Sequence, residues 1–133
     1  MIQVAIVGCG NIAHAHMEGL LTFPKRCQVV ALCDIYPEKA EAMKKEYGLN
    51  CRIYADHETM LEKENKLDLV HVCTPPYVHA EISIHALDAG CNVVVEKPMA
   101  TCLSECDQML EAEKRSKKTL ACIDAESFPQ FDL

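Results

Sequence analysis

One short turn constrains this chain more than anything else in it. Gly8-Cys9-Gly10-Asn11-Ile12-Ala13 stands directly behind the apolar run Ile2–Val7. In a G-x-G-x-x-A turn after a strand, the first glycine makes the tight bend. The second leaves the backbone open to close approach, and the small third residue lets the next helix pack on the strand. That helix reads over Asn11–Leu21 and stops before Pro24. Its first turn would present free N–H groups and a positive dipole end to any anion resting on Gly10, Asn11 and Ile12. The alternative is a plain strand-to-helix turn that holds nothing.

The remaining sequence repeats this unit. Runs rich in β-formers lie at Ile2–Val7, Gln28–Cys33, Arg52–Tyr54, Leu69–Cys73, Asn92–Val95 and Thr119–Ile123. Several are almost wholly apolar, as strands buried on both faces are. Between them, Pro37–Tyr47 has proline in its first turn and Gly48 beyond its end, His57–Glu64 is a short helix, and Pro76–Ala89 ends at Gly90. Ile82, Ala86 and Ala89 share one face of that helix. Thr101 is positioned to cap Cys102–Lys117, with Leu103, Cys106 and Leu110 as its inward stripe. Alternation of strand and helix to the end predicts an α/β fold with a doubly wound parallel sheet. Its commonest strand order is 3-2-1-4-5-6. Residues 1–123 then form one domain.

Composition narrows the partners. The net charge is −7, which argues against a nucleic-acid footprint. The basic residues Lys114, Arg115, Lys117 and Lys118 share their segment with Glu111 and Glu113 and read as a solvated helix end. No basic leader precedes Ile2–Val7, and the apolar runs are too short to span a bilayer, so a cytoplasmic protein without a membrane partner is expected. Nine cysteines, an odd number without any C-x-x-C, suit a reducing compartment. Cys33, Cys73 and Cys122 lie in strand-like runs and read as small hydrophobes. His14 and His16 point to different faces of one helix, so no metal site is expected.

The second strand ends in Asp34, 26 residues after Gly8. A carboxylate there accepts both hydroxyls of an adenine ribose and repels a 2′-phosphate. No lysine or arginine follows within four residues, which favours NAD over NADP. The alternative for Asp34 is a turn or capping residue ahead of Pro37.

Two further motifs carry a resemblance. Thr74-Pro75-Pro76-Tyr77-Val78-His79-Ala80-Glu81 follows the fourth strand, and Val95-Glu96-Lys97-Pro98-Met99-Ala100 follows the fifth. Together with the glycine turn and Cys33-Asp34, they resemble the N-terminal Rossmann domain of the Gfo/Idh/MocA oxidoreductases from residue 2 to about residue 123. The resemblance implies a nicotinamide cofactor touched by Gly8, Gly10, Asn11, Ile12, Ala13 and Asp34. It adds contacts from Thr74, Pro75, Pro76 and His79 in one loop and Glu96, Lys97 and Pro98 in another. His79 would lie toward the nicotinamide. Glu81 would support the helix start. Lys97 would relay the proton of a substrate hydroxyl, a step made easier by the positive charge of a nearby oxidised nicotinamide. A cis Lys97–Pro98 bond would turn that side chain into the cleft.

The same resemblance implies a sugar, cyclitol or related polyol substrate and a second domain that supplies its pocket. Residues 124–133 match only the segment that crosses toward such a domain. Exposed Phe128, Phe131 and Leu133 would then favour self-association into a homo-oligomer. Alternatives stay open: His79 as a solvated helix-start residue, Lys97 as the partner of a neighbouring acid, and the domain as a non-catalytic nicotinamide sensor. A CoA-binding domain is a further reading, against which Asp34 argues.

Overall fold

The structure, a computed structural model, describes residues 1–125. Six strands, β1 (Ile2–Val7), β2 (Cys27–Cys33), β3 (Arg52–Tyr54), β4 (Leu69–Val72), β5 (Asn92–Glu96) and β6 (Leu120–Ile123), form one sheet. All neighbours pair parallel, in the order β3-β2-β1-β4-β5-β6. The expected doubly wound topology is therefore present. Five helices alternate with the strands: α1 (Asn11–Leu21), α2 (Pro37–Tyr47), α3 (His57–Lys63), α4 (His79–Asp88) and α5 (Leu103–Ser116).

Strand alternation sorts the core into two layers. Ile6, Val29 and Leu32 point to the face covered by Ala13 and Met17 of α1 and Ala40 and Met43 of α2. Val7, Val70, Val72, Val93 and Val95 point to the other face, against Met60 of α3, Ile82, Ala86 and Leu87 of α4, and Met109 and Ala112 of α5. Helices pass from one face to the other between β3 and β4. β1 and β4 stay paired to their carboxyl ends, and the connections after them lead to α1 and α4 on opposite faces, the switch at which α/β sheets open a crevice.

Four local expectations need correction. Pro76–Val78 is a separate 3-10 turn, and α4 starts at His79 and ends at Asp88, which leaves Ala89 exposed as the C-cap. The N-cap of α5 is Cys102 rather than Thr101, whose hydroxyl donates to the Glu105 carboxylate. Extended backbone at Cys102 starts the helix one residue too late for Thr101 to reach its free N–H groups. The inward stripe of α5 is also misplaced: Leu103 and Leu110 are exposed, and Met109 and Ala112 are buried. The row that includes Ala112 faces α4, where a small side chain permits close helix packing. Cys122 is exposed because β6 is an edge strand. Residues 126–133, with Phe128, Phe131 and Leu133, lie outside the described residues.

Candidate functional site

The glycine turn leaves β1 at the switch. Gly8 has φ +92°, and a Cβ there would sit 2.7 Å from the carbonyl carbon and oxygen of Cys73. The end of β4 thus presses on the turn, and only glycine fits. Gly10 is different. A Cβ at Gly10 would meet nothing within 4 Å, so the second glycine borders open space. Helix α1 begins after Gly10 with no side-chain cap. Asn11 is exposed, Ile12 half-buried and Ala13 fully buried, which lets α1 lie close on the sheet. The arrangement leaves first-turn N–H groups to receive an anion.

Asp34 faces this turn. Its Oδ2 accepts the Cys9 N–H at 2.8 Å, and its Oδ1 accepts the Tyr36 N–H at 2.9 Å. The carboxylate therefore serves both as the local turn residue considered above and as a brace for the glycine loop. Each oxygen retains a further lone pair for another donor. Gly8, Asp34, Ile35, His57, Thr74 and Tyr77 line a cavity beside it.

Two proline-marked loops form the rest of the crevice. Thr74 is half-buried, Pro75 exposed and Pro76 half-buried. The Thr74 hydroxyl is buried without a hydrogen-bond partner. His79 is 1 % exposed, so the reading of a solvated ring is overturned. Its Nε2 lies 2.7 Å from the Thr74 carbonyl and its Nδ1 2.8 Å from the Pro98 carbonyl. The ring thereby ties the Thr74–Pro76 loop to the loop after β5. Glu81 sits in the first turn of α4, where its charge suits the helix dipole.

The Lys97–Pro98 bond is cis. Lys97 and Pro98 are exposed, and Lys97 Nζ lies 3.6 Å from the Asp124 carboxylate. Glu96 points the other way, into the protein. Its Oε2 lies 2.6 Å from His16 Nε2, and its Oε1 accepts the Ala125 N–H at 3.2 Å. His16 Nδ1 contacts His71 Nδ1 at 2.8 Å. Burial, and then the neighbouring His16, lower the pKa of His71 to about 3, so it stays neutral. Sequence reasoning missed this His71–His16–Glu96 chain. Its members come from β4, α1 and β5, and no local spacing joins them. His14, by contrast, reaches Tyr47 and Glu46 of α2, so the two histidines of α1 do diverge.

The cysteines around the site are quiet. Burial pushes the Cys9 and Cys33 thiols up to about 12, with Asp34 adding to both, and raises Cys73 as well. Such thiols carry almost no thiolate at neutral pH. All nine cysteines are free.

A family model described as an oxidoreductase family with an NAD-binding Rossmann fold matches residues 2–123. Among curated proteins, D-glucoside 3-dehydrogenase of Escherichia coli strain K12 is 33% identical over 120 residues, covering 90% of this chain and 34% of that protein. Inositol 2-dehydrogenase of Salmonella typhimurium is 29% identical over 122 residues, covering 92% of this chain and 36% of the relative. Among solved structures, the WlbA dehydrogenase of Bordetella pertussis in complex with NADH and UDP-GlcNAcA superposes with a TM-score of 0.85 at 30% identity. That match covers 92% of this chain and 36% of the other. The chain thus spans about a third of the length of each of these relatives.

Proposed function

Because the chain belongs to the Gfo/Idh/MocA oxidoreductases, whose members carry an NAD-binding Rossmann fold, we propose that it is the cofactor domain of a dehydrogenase that uses NAD rather than NADP. The complete protein would act on a CH–OH group of a sugar, cyclitol or related polyol. One observation carries the reading: an uncapped helix start and a carboxylate with spare acceptor sites stand side by side at the switch of the sheet. The pyrophosphate would rest on the N–H groups at Gly10, Asn11 and Ile12. Asp34 would accept the hydroxyls of the adenine ribose, and its charge would repel a 2′-phosphate. The residues fit such a group. Gly10 borders open space, and the Thr74 hydroxyl lacks a partner.

When bound, NAD supplies the hydride acceptor. The protein's share is to hold the substrate and move its proton. Lys97 would take the hydroxyl proton as the free amine, with the Asp124 carboxylate 3.6 Å away holding the side chain in position and stabilising the ammonium that forms. His79 would keep the Thr74 and Pro98 carbonyls, and so the two loops, at fixed separation. Glu96 would act from behind, as an anchor for the strand end that presents Lys97. The substrate pocket would come from residues outside this chain. A cytoplasmic location and assembly with further copies of the same chain complete the proposal; among the described residues no helix is long and apolar enough to cross a membrane.

The test is paired. NADH titration by fluorescence should show binding to this chain, and the same chain should turn over no polyol. Holding a substrate in near-attack geometry is worth up to roughly 7–11 kcal/mol, and that contribution would be lost. Measurable turnover by residues 1–133 would place the substrate pocket within this chain and contradict the proposal.

A further inference from the structure

Four side chains outside the crevice's anion cradle gather between α3 and α4. His57 and Glu58 open α3, and Glu81 and His85 stand at i and i+4 on α4. The i, i+4 spacing puts Glu81 and His85 on one helix face. One ligand atom from each of the four lies within 4.8 Å of all the others. Among the described residues, no other set of three or more histidine, cysteine, aspartate or glutamate side chains meets that condition.

The two imidazoles form the inner half of the cluster. His57 Nε2 and His85 Nδ1 are 2.8 Å apart, and the rings stack at 19°. Both are half-buried, while Glu58 and Glu81 are exposed. A pair of imidazoles in direct contact opposes protonation. Burial, and then His85, hold the His57 pKa below its ordinary value, against the pull of Glu81, Glu58 and Asp56. His57 therefore keeps a lone pair at neutral pH.

We propose that His57, Glu58, Glu81 and His85 bind a zinc-type divalent cation that clamps α3 to α4. Two imidazole nitrogens and two carboxylate oxygens are a donor set that zinc accepts in tetrahedral geometry, with bonds of about 2.0–2.2 Å. Such bonds put neighbouring ligand atoms about 3.3–3.6 Å apart. The imidazole nitrogens need to part by roughly half an ångström, and the carboxylates need to close in on flexible, exposed stems. Calcium and magnesium prefer all-oxygen shells, so the two nitrogens select a transition metal. Two carboxylates balance the charge of the ion. Side-chain atoms alone make the site, and four protein ligands would leave no open position, which marks a structural centre rather than a catalytic one.

The site adjoins the crevice. His57 also lines the cavity beside Asp34. A bound ion would fix that wall, and it would do so independently of the dehydrogenase reading.

The experiment is a titration of metal-free chain with zinc chloride against a chromophoric chelator. One equivalent should bind, and zinc should raise the Tm. His85→Ala should weaken binding by more than the roughly 10–100-fold that follows loss of an outer-shell partner. Glu81→Gln keeps the shape of an exposed residue and should weaken it as well. Cobalt in place of zinc should give visible ligand-field bands without a sulfur-to-cobalt charge-transfer band. Cys102→Ser should bind like the parent. Failure to take up one equivalent overturns the proposal. So does equal uptake by the parent, His85→Ala and Glu81→Gln, or a thiolate band, since either would assign the ion to the free cysteines.

Discussion

The two ends of the crevice are held by different kinds of contact. At the β1–β2 end, backbone geometry dominates: Gly8 fits under the Cys73 carbonyl, and Asp34 grips the Cys9 N–H 25 residues away. At the β5 end, side chains dominate. Glu96 reaches His16 across 80 residues of sequence, and His16 reaches His71 across 55. The first kind of contact writes a motif into the sequence, because one place tolerates one residue type. The second leaves only isolated polar residues in apolar surroundings, which look alike whether they are paired or not.

The sharpest way to break this contrast is a pair of glycine substitutions. Gly8→Ala forces a Cβ into the Cys73–Thr74 backbone just beyond β4 at positive φ, and neither can give way. We expect a loss of about 3–5 kcal/mol in urea unfolding. Gly10→Ala meets open space and should change stability by less than about 1 kcal/mol. It should still weaken NAD binding, because its methyl group would intrude where the pyrophosphate is proposed to rest. Equal destabilisation by both would mean that the turn is not pinned by β4.

Acid probes the other end. The folded pKa of His71, about 3, lies below the ordinary 6.5 of an unfolded histidine. As pH falls, the unfolded chain takes up the proton first. The stability linked to His71 is therefore complete above pH 6.5 and drains away as pH falls toward 3. Between pH 7 and pH 4.5 the loss should be roughly 2–3 kcal/mol, and His57, shifted the same way, adds to it. Urea midpoints at both pH values check this. His71→Gln should remove that share of the acid dependence, and an unchanged pH slope would show that His71 is not buried as a neutral ring.

A surface change should do least. Leu110→Gln replaces a side chain that is 51% exposed, so its effect should stay within about 0.5 kcal/mol in thermal unfolding. A large loss would restore Leu110 to the core and reverse the correction to α5.

What was legible follows the same divide. Strand order and the α1 and α2 bounds were readable because buried parallel strands are continuously apolar and these helices carry glycine and proline punctuation. The position of Asp34 beside the glycine turn was readable because it stands at a strand end. The α5 stripe was not, since Leu103–Cys106–Leu110 and Cys106–Met109–Ala112 both satisfy helical periodicity, and only packing on α4 decides between them. His16, His71 and the inward turn of Glu96 were hidden for a related reason: burial and partners are tertiary facts. The His57–His85 contact belongs to this class too, although Glu81 and His85 at i, i+4 offered half of the signal.

The proposed cofactor site depends most directly on Asp34. Calorimetric titration of the parent chain and of Asp34→Ala with NAD, in the same buffer, isolates its carboxylate. A hydrogen bond to a charged group is worth about 1.5–3 kcal/mol, so the variant should bind NAD roughly 10- to 150-fold more weakly. Its preference for NAD over NADP should shrink as the repulsion of a 2′-phosphate disappears. Unchanged NAD affinity in Asp34→Ala would remove the ribose from this carboxylate and contradict the placement of the cofactor.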